Sequence, residues 1–277
     1  MSALPVFPEA SGIDYDMPHD EYLAALGLGS SAIKKILRSG AHYKASIDCP
    51  QERTSAFDVG SATHMAVLEP ARFADSVIAA PKFDRRTKEG KASAAAFEAE
   101  CAGRLVLDSE DFDTARRAAD SVLAHPAARA LLVGGKPEVS MFWRDAETDV
   151  ACKLRADYLR EDMVVVDLKT TVDASKSGFS RSIEKFGYAI QAAHYARGIY
   201  KTTGQQMGAW VFIAVEKELP YAVGCYVLDV ESIIASDARV AKALERFKQC
   251  VDSGVWPAYS DLIEPISLPA WALNTKD

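Results

Sequence analysis

Asp157, Asp167 and Lys169 are the residues of this chain whose types and spacing could do chemistry. They sit in Lys153-Leu154-Arg155-Ala156-Asp157-Tyr158-Leu159, then a polar break at Arg160-Glu161-Asp162, then Val164-Val165-Val166-Asp167-Leu168-Lys169-Thr170-Thr171. Apolar runs of strand length on either side of a polar break predict a hairpin. Residues two apart on a strand share a face, so Lys153, Arg155 and Asp157 point one way, and Asp167 and Lys169 share a face on the next strand. The pattern brings both carboxylates and the lysine to one end of a sheet. Hard divalent cations such as Mg²⁺ take carboxylate oxygens together with waters and phosphate. A neighbouring ammonium can orient a metal-bound water or neutralise phosphate charge. The chemistry would be metal-dependent hydrolysis of a phosphodiester. A solvated hairpin edge also carries alternating charges, and spacing alone leaves both readings open, although a charge pair directly after Val164-Val165-Val166 is less easily assigned to an edge.

Positioning these groups falls to the flanking elements. Segments 137–144, 150–159 and 163–169 read as consecutive strands, followed by a helix over 182–201, a turn at Gly204, a strand pair at 208–216 and 220–228, and a helix over 230–252. Residues 1–20 read as an extended, Pro-rich lead-in. A short helix follows a serine N-cap at Ser30-Ser31, with Ile33, Ile36 and Leu37 on its apolar side and the basic Lys34, Lys35 and Arg38 on another face, solvated or in contact with phosphate. Further helices are expected over 55–69, closed by Pro70, over 92–102, and over 110–132. The fold class is α/β, with a central mixed sheet flanked by helices and a mainly helical N-terminal region. The expected organisation is a lead-in (1–20), one domain (21–256, mainly helical to 132 and holding the core sheet from 133) and a C-terminal tail (257–277).

Other residues have both a functional and a plain structural reading. His64 lies in an otherwise apolar helix, where a histidine is usually a satisfied core residue, yet a neutral imidazole can ligate a metal. Gly60, one turn earlier, would let substrate or backbone approach closely. Gln191 and Tyr195 share a helix face with Tyr188 nearby, their polar tips directed at substrate or at core hydrogen bonds. Glu138 is a third carboxylate or an exposed strand end. The loop Pro81–Lys91 carries Arg85, Arg86, Lys88 and Lys91, a set that grips phosphate or is simply solvated.

Composition narrows the class. The chain has 277 residues, 49% hydrophobic and 26% charged, enough for a substantial core. No apolar run reaches membrane-spanning length and the N-terminus lacks the pattern of a secretory signal, so a cytoplasmic protein is expected. Five scattered cysteines without a Cys-x-x-Cys pair argue against a disulfide framework and against a zinc or iron–sulfur cluster. A net charge of −7 leans against nucleic-acid binding as a whole-molecule property, while leaving room for a local basic channel.

Taken in order, Gly60-x₃-His64, Lys153-x-Arg155-x-Asp157, Asp167-Leu168-Lys169-Thr170-Thr171 and Gln191-x₃-Tyr195 resemble the PD-(D/E)XK nuclease superfamily in its RecB-like branch. More narrowly they are similar to RecE-type exonuclease VIII and its phage-encoded relatives. The Ser30-Ser31 helix and the 85–91 loop add to the likeness, which spans roughly residues 15–228. Asp167 stands where many superfamily members carry Glu; the RecE branch resembles this chain in using Asp.

The resemblance implies a Mg²⁺-dependent exodeoxyribonuclease, with Mn²⁺ able to substitute. It would degrade linear double-stranded DNA from a 5′ end and leave 3′ single strands for phage-type recombination. It implies Asp157, Asp167, the Leu168 carbonyl and His64 as metal ligands, with Glu138 as a further candidate. Lys169 would orient the attacking water, and Gln191 and Tyr195 would contact substrate or brace the site. DNA contacts would come from Lys153, Arg155, Arg85, Arg86, Lys88, Lys91, Ser30 and Ser31. The implied partners are DNA ends, a single-strand-annealing recombinase and further copies of the chain in a toroid, for instance a tetramer, with no membrane. Alternatives are a RecB-like single-strand DNA exonuclease and a catalytically idle DNA-end-binding module.

Overall fold

A computed structural model describes residues 11–49, 55–84 and 86–268. Its strands are β1 (Gly12–Asp14), β2 (Val77–Ala79), β3 (Leu105–Leu107), β4 (Gly135–Arg144), β5 (Ala151–Arg160), β6 (Val164–Thr171), β7 (Ala209–Glu216) and β8 (Val223–Val227). Its helices are α1 (His19–Ala24), α2 (Ser30–Arg38), α3 (Gly40–Asp48), α4 (Ser55–Leu68), α5 (Pro70–Ser76), α6 (Lys88–Glu100), α7 (Ser109–Ala124), α8 (Pro126–Leu131), α9 (Lys176–Phe186), α10 (Tyr188–Thr203) and α11 (Val230–Ser253).

Among the described residues, six strands form one mixed sheet in the order β1-β4-β5-β6-β7-β8, and β2 and β3 pair separately. The β4-β5-β6 run is antiparallel, β6 and β7 are parallel across the α9–α10 crossover, and β8 returns antiparallel. A parallel pair needs such a crossover, whereas the antiparallel pairs close through short turns. The sheet therefore contains the expected meander and strand pair. On one face, Ile33 and Ile36 of α2, Ile199 of α10 and Val240 and Leu244 of α11 pack on Trp143, Leu154, Trp210 and Phe212. On the other, Val67, Ala118, Val122 and Ala128 of α4, α7 and α8 pack on Val166, Leu168, Ile213 and Val215. Each such large side chain contributes about 1.5–3 kcal/mol by leaving water, so the central strands are held from both sides.

Several boundaries differ from the sequence expectation. Part of the expected lead-in is an edge strand: Gly12–Asp14 pair with Ser140–Phe142 of β4. The N-cap of α2 is Gly29, with no side-chain cap, so Ser30 opens the helix rather than capping it. Pro70 ends α4 and also starts α5 in its first turn, where its missing N–H costs nothing. The 110–132 helix is divided by Pro126, which begins α8. The 182–201 helix is two helices, because Gly187 adopts φ +64° and turns the chain between Phe186 and Tyr188. The basic loop is shorter than expected. Thr87 Oγ1 caps α6 by accepting from the Gly90 amide, so Lys88 and Lys91 are helical. Arg85, residues 1–10 of the lead-in and residues 269–277 of the tail lie outside the described residues. No described helix is long and apolar enough to cross a membrane.

Candidate metal centre

The site forms where β5 and β6 part. Their ladder ends at Tyr158 opposite Val166, and Asp157 and Asp167 are the next residues on each strand. Asp157 Oδ2 accepts from the Leu168 amide at 2.9 Å. His64, on α4, places Nε2 at 2.5 Å from the Leu168 carbonyl oxygen and 3.6 Å from Asp157 Oδ2. Its helix can come this close because Gly60 faces β6, where an added Cβ would lie only 3.3 Å from Thr170 Oγ1. Opposite Asp157 on β4, Glu138 takes φ +54°, a left-handed conformation uncommon for a side-chain-bearing residue. Arg155 fixes its carboxylate through Nε–H to Oε2 at 2.5 Å. Ligand atoms of His64, Glu138 and Asp157 lie within 4.8 Å of one another. With the Leu168 carbonyl they make an imidazole-and-oxygen donor set that fits a divalent cation.

Asp167 and Lys169 stand beside this cluster. Asp167 is 1% exposed. Its Oδ2 contacts Lys169 Nζ at 2.6 Å and its Oδ1 accepts from Gln191 Nε2 at 2.9 Å. Burial pushes the Asp167 carboxyl up to about 6, with the Asp157 charge adding to the rise and Lys169 opposing it. Burial likewise raises Asp157, and burial followed by the Asp157 charge raises Glu138. His64 is lowered by burial and by Lys169, which keeps its imidazole neutral and able to ligate. Burial works against the Lys169 charge, yet Asp167 and Asp157 together hold the ammonium above the usual lysine range. Crowded carboxylates that resist ionisation, one neutral imidazole and a fixed ammonium are the electrostatics of a cation-and-phosphate site.

The structure brings together His64, Glu138, Asp157, Asp167, Leu168, Lys169 and Gln191. Other expected site residues are placed as follows. Tyr195 is buried and donates its hydroxyl to the Arg155 carbonyl at 2.7 Å, so it braces β5 against α10. Lys153 Nζ donates to the carbonyls of Tyr22, Leu23 and Ala25, closing the C-terminal end of α1. Arg155, besides Glu138, donates to Met17 O and Ser140 Oγ, each at 3.0 Å. Lys153 Nζ and the Nε and Nη1 groups of Arg155 therefore donate inside the fold, where both side chains support the site. Arg86 is exposed and paired with Asp84, and Lys88 and Lys91 are exposed on the first turn of α6. Ser30 and Ser31 open α2, on the α10–α11 side of the sheet.

Lys34, on the basic face of α2, reaches the edge of this site. Its Nζ lies 5.9 Å from the Tyr188 ring centroid, and Lys169 Nζ lies 5.2 Å from the same ring. More than a hundred residues separate Lys34 from both partners, so no local pattern could reveal the contact. Glu138 gave a stronger signal. Its register opposite Asp157 follows once β4 and β5 are paired.

A mixed sheet with helices on both faces and an Asp–Asp–Lys cluster at a strand fork defines a PD-(D/E)XK-type nuclease fold. The chain belongs to the family described as a PDDEXK-like domain of unknown function (DUF3799), whose model matches residues 29–269. Among solved structures it is similar to a protein from Eubacterium rectale assigned as an exonuclease. That likeness has a TM-score of 0.62 and 13% identity, covering 95% of this chain and 99% of the other. It is also similar to a phage-related exonuclease from Haemophilus somnus. There the identity is 12%, with 83% of this chain and 97% of the other covered, and the TM-score of 0.35 carries no weight by itself. No curated protein matches the sequence.

Proposed function

We propose that this protein is a Mg²⁺-dependent exodeoxyribonuclease that digests linear double-stranded DNA from 5′ ends and leaves 3′ single strands for recombination. Mn²⁺ would substitute. The observation that carries the reading is the convergence of His64, Glu138, Asp157 and the Leu168 carbonyl beside the Asp167–Lys169 pair. These residues would hold a divalent cation, whose charge would polarise a scissile phosphate and make a nearby water more acidic. Lys169, kept protonated by its carboxylate neighbours, donates to the attacking water or to a phosphate oxygen. Gln191 holds the Asp167 carboxylate in one orientation, and Arg155 does the same for Glu138. None of these groups reads a base edge, so cleavage is expected to be independent of sequence. The family resemblance supports the exonuclease class, the 5′ polarity, assembly into a ring and cooperation with an annealing protein.

The test is linear duplex DNA carrying a label at one 5′ end or one 3′ end, incubated with the protein and Mg²⁺. Early release of the 5′ label as mononucleotide, with the 3′ label retained, supports the reading. Early release of the 3′ label overturns the polarity. Release from single strands alone favours the RecB-like single-strand alternative.

A further inference from the structure

Next to Lys169, the corner between α9 and α10 carries an aromatic and basic surface that the proposed hydrolysis does not use. Phe186, the last residue of α9, is 49% exposed. It stacks on Tyr188 at 5.7 Å between centroids, with 29° between the planes. Tyr188 in turn stands beside Lys169 Nζ, at 5.2 Å, and Lys34 Nζ, at 5.9 Å. Lys185 Nζ lies 5.3 Å from the Phe186 ring centroid. The corner is built around the Lys34 stem. Lys34 Nζ donates to the Phe186 carbonyl at 3.1 Å, and a Cβ on Gly187 would meet Lys34 Cδ at 3.0 Å. Among the described residues no carboxylate forms an ion pair with Lys34 or Lys185.

An exposed ring flanked by cations without carboxylate partners suits a nucleotide better than an apolar protein surface. The base gains stacking area while the lysines meet phosphate. We propose that Phe186 is a stacking surface for an unpaired nucleobase of the strand entering the site, with Lys34 and Lys185 facing the neighbouring phosphates. The proposal rests on the nuclease reading and specifies the form of its substrate: the strand reaches Lys169 unpaired, so a duplex end must open at the site. The half-exposed position of Phe186 makes the contact removable without opening the core.

The test measures binding of a short fluorescein-labelled oligodeoxythymidylate to the full chain by anisotropy, with Ca²⁺ replacing Mg²⁺ to prevent turnover. Phe186→Ala should weaken binding about tenfold, within the range for loss of one base–aromatic stack, and Phe186→Trp should restore it. An abasic residue walked along the probe should, at one position, make the wild type and Phe186→Ala alike. Equal affinity of the two proteins for the intact probe overturns the proposal, as does a loss in Phe186→Ala that is the same for every abasic probe. A wild type that degrades linear DNA without any Phe186 dependence removes the stacking surface alone. A wild type that neither binds nor degrades DNA removes the nuclease reading beneath it.

Discussion

Asp157 Oδ2 takes the Leu168 amide at 2.9 Å, while the carbonyl of that same residue faces His64 Nε2. Where β5 and β6 separate, a side chain replaces the missing ladder hydrogen bond, and one residue of β6 links the acid to the histidine. Two substitutions separate the roles of this carboxylate. Asp157→Asn keeps an oxygen acceptor for Leu168 and should retain stability while losing metal binding and cleavage. Asp157→Ala leaves the amide unpaired and should cost a further ~1–3 kcal/mol. Calorimetric titration with Mg²⁺ or Mn²⁺, beside urea unfolding, reads both effects; a full metal heat in Asp157→Asn would remove Asp157 from the ligand set.

Tyr195 and Gln191 belong to one motif but should behave differently. Tyr195→Phe removes only the hydrogen bond to Arg155 O, so a stability loss of about 1 kcal/mol with nearly unchanged turnover is expected. Gln191→Leu leaves the buried Asp167 Oδ1 without its donor and should lower kcat while KM stays close to that of the wild type. Comparing melting temperatures with steady-state rates of DNA digestion checks the pair. A large rate loss in Tyr195→Phe would place its hydroxyl in the chemistry.

Arg155 is predicted to act on the fold and on Glu138. Removing its side chain leaves Glu138 buried without its cation, a change typically worth about 3–5 kcal/mol for a buried pair. Arg155→Met should therefore melt earlier, whereas Arg155→Met combined with Glu138→Gln should recover part of the loss. DNA affinity of whatever remains folded should change little. A weakened DNA affinity at unchanged melting temperature would return Arg155 to the DNA interface.

His194 supplies a pH signature outside the site. Buried against Trp143 and within hydrogen-bonding distance of Lys153 O, it is lowered by burial to about 4. The unfolded chain binds a proton here near pH ~6.5 and the folded chain does not, so this group's contribution to stability falls as pH drops from about 6.5 to about 4. The full span is worth roughly 3 kcal/mol. His194→Gln should be less stable at neutral pH yet lack this part of the slope, as read from denaturation midpoints across that window.

The strands were legible because alternation and a buried valine run are local signals: Asp157, Asp167 and Lys169 fall on the expected segments, and Gly60 lies at a close approach, of a side chain rather than of backbone. The breaks were harder. Gly187 and Pro126 lie inside continuous amphipathic patterns, and periodicity carries across them even though each residue turns the chain. Lys153 and Arg155 alternate with apolar residues as solvent-facing charges would. Only the packing of residues 17–25 over β5 shows that Lys153 Nζ and Arg155 Nη1 donate to backbone carbonyls there. Glu138 reads in the sequence as a third carboxylate or an exposed strand end; a left-handed backbone and Arg155 place its carboxylate near Asp157 and His64. Lys34 enters through a tertiary contact that has no sequence signature.

The most direct test is release of acid-soluble nucleotides from uniformly labelled linear duplex DNA by the wild type, Asp157→Asn and Lys169→Ala, with Mg²⁺ and with a chelator. The wild type should release nucleotides only with the metal. Each variant should be slower by about 10²–10⁴-fold, the scale for losing a positioned charge or proton-transfer group, with an unchanged circular-dichroism spectrum. Undiminished release by both folded variants, or no release from duplex or single strands with either Mg²⁺ or Mn²⁺, would contradict a metal-dependent nuclease centre at the β5–β6 fork.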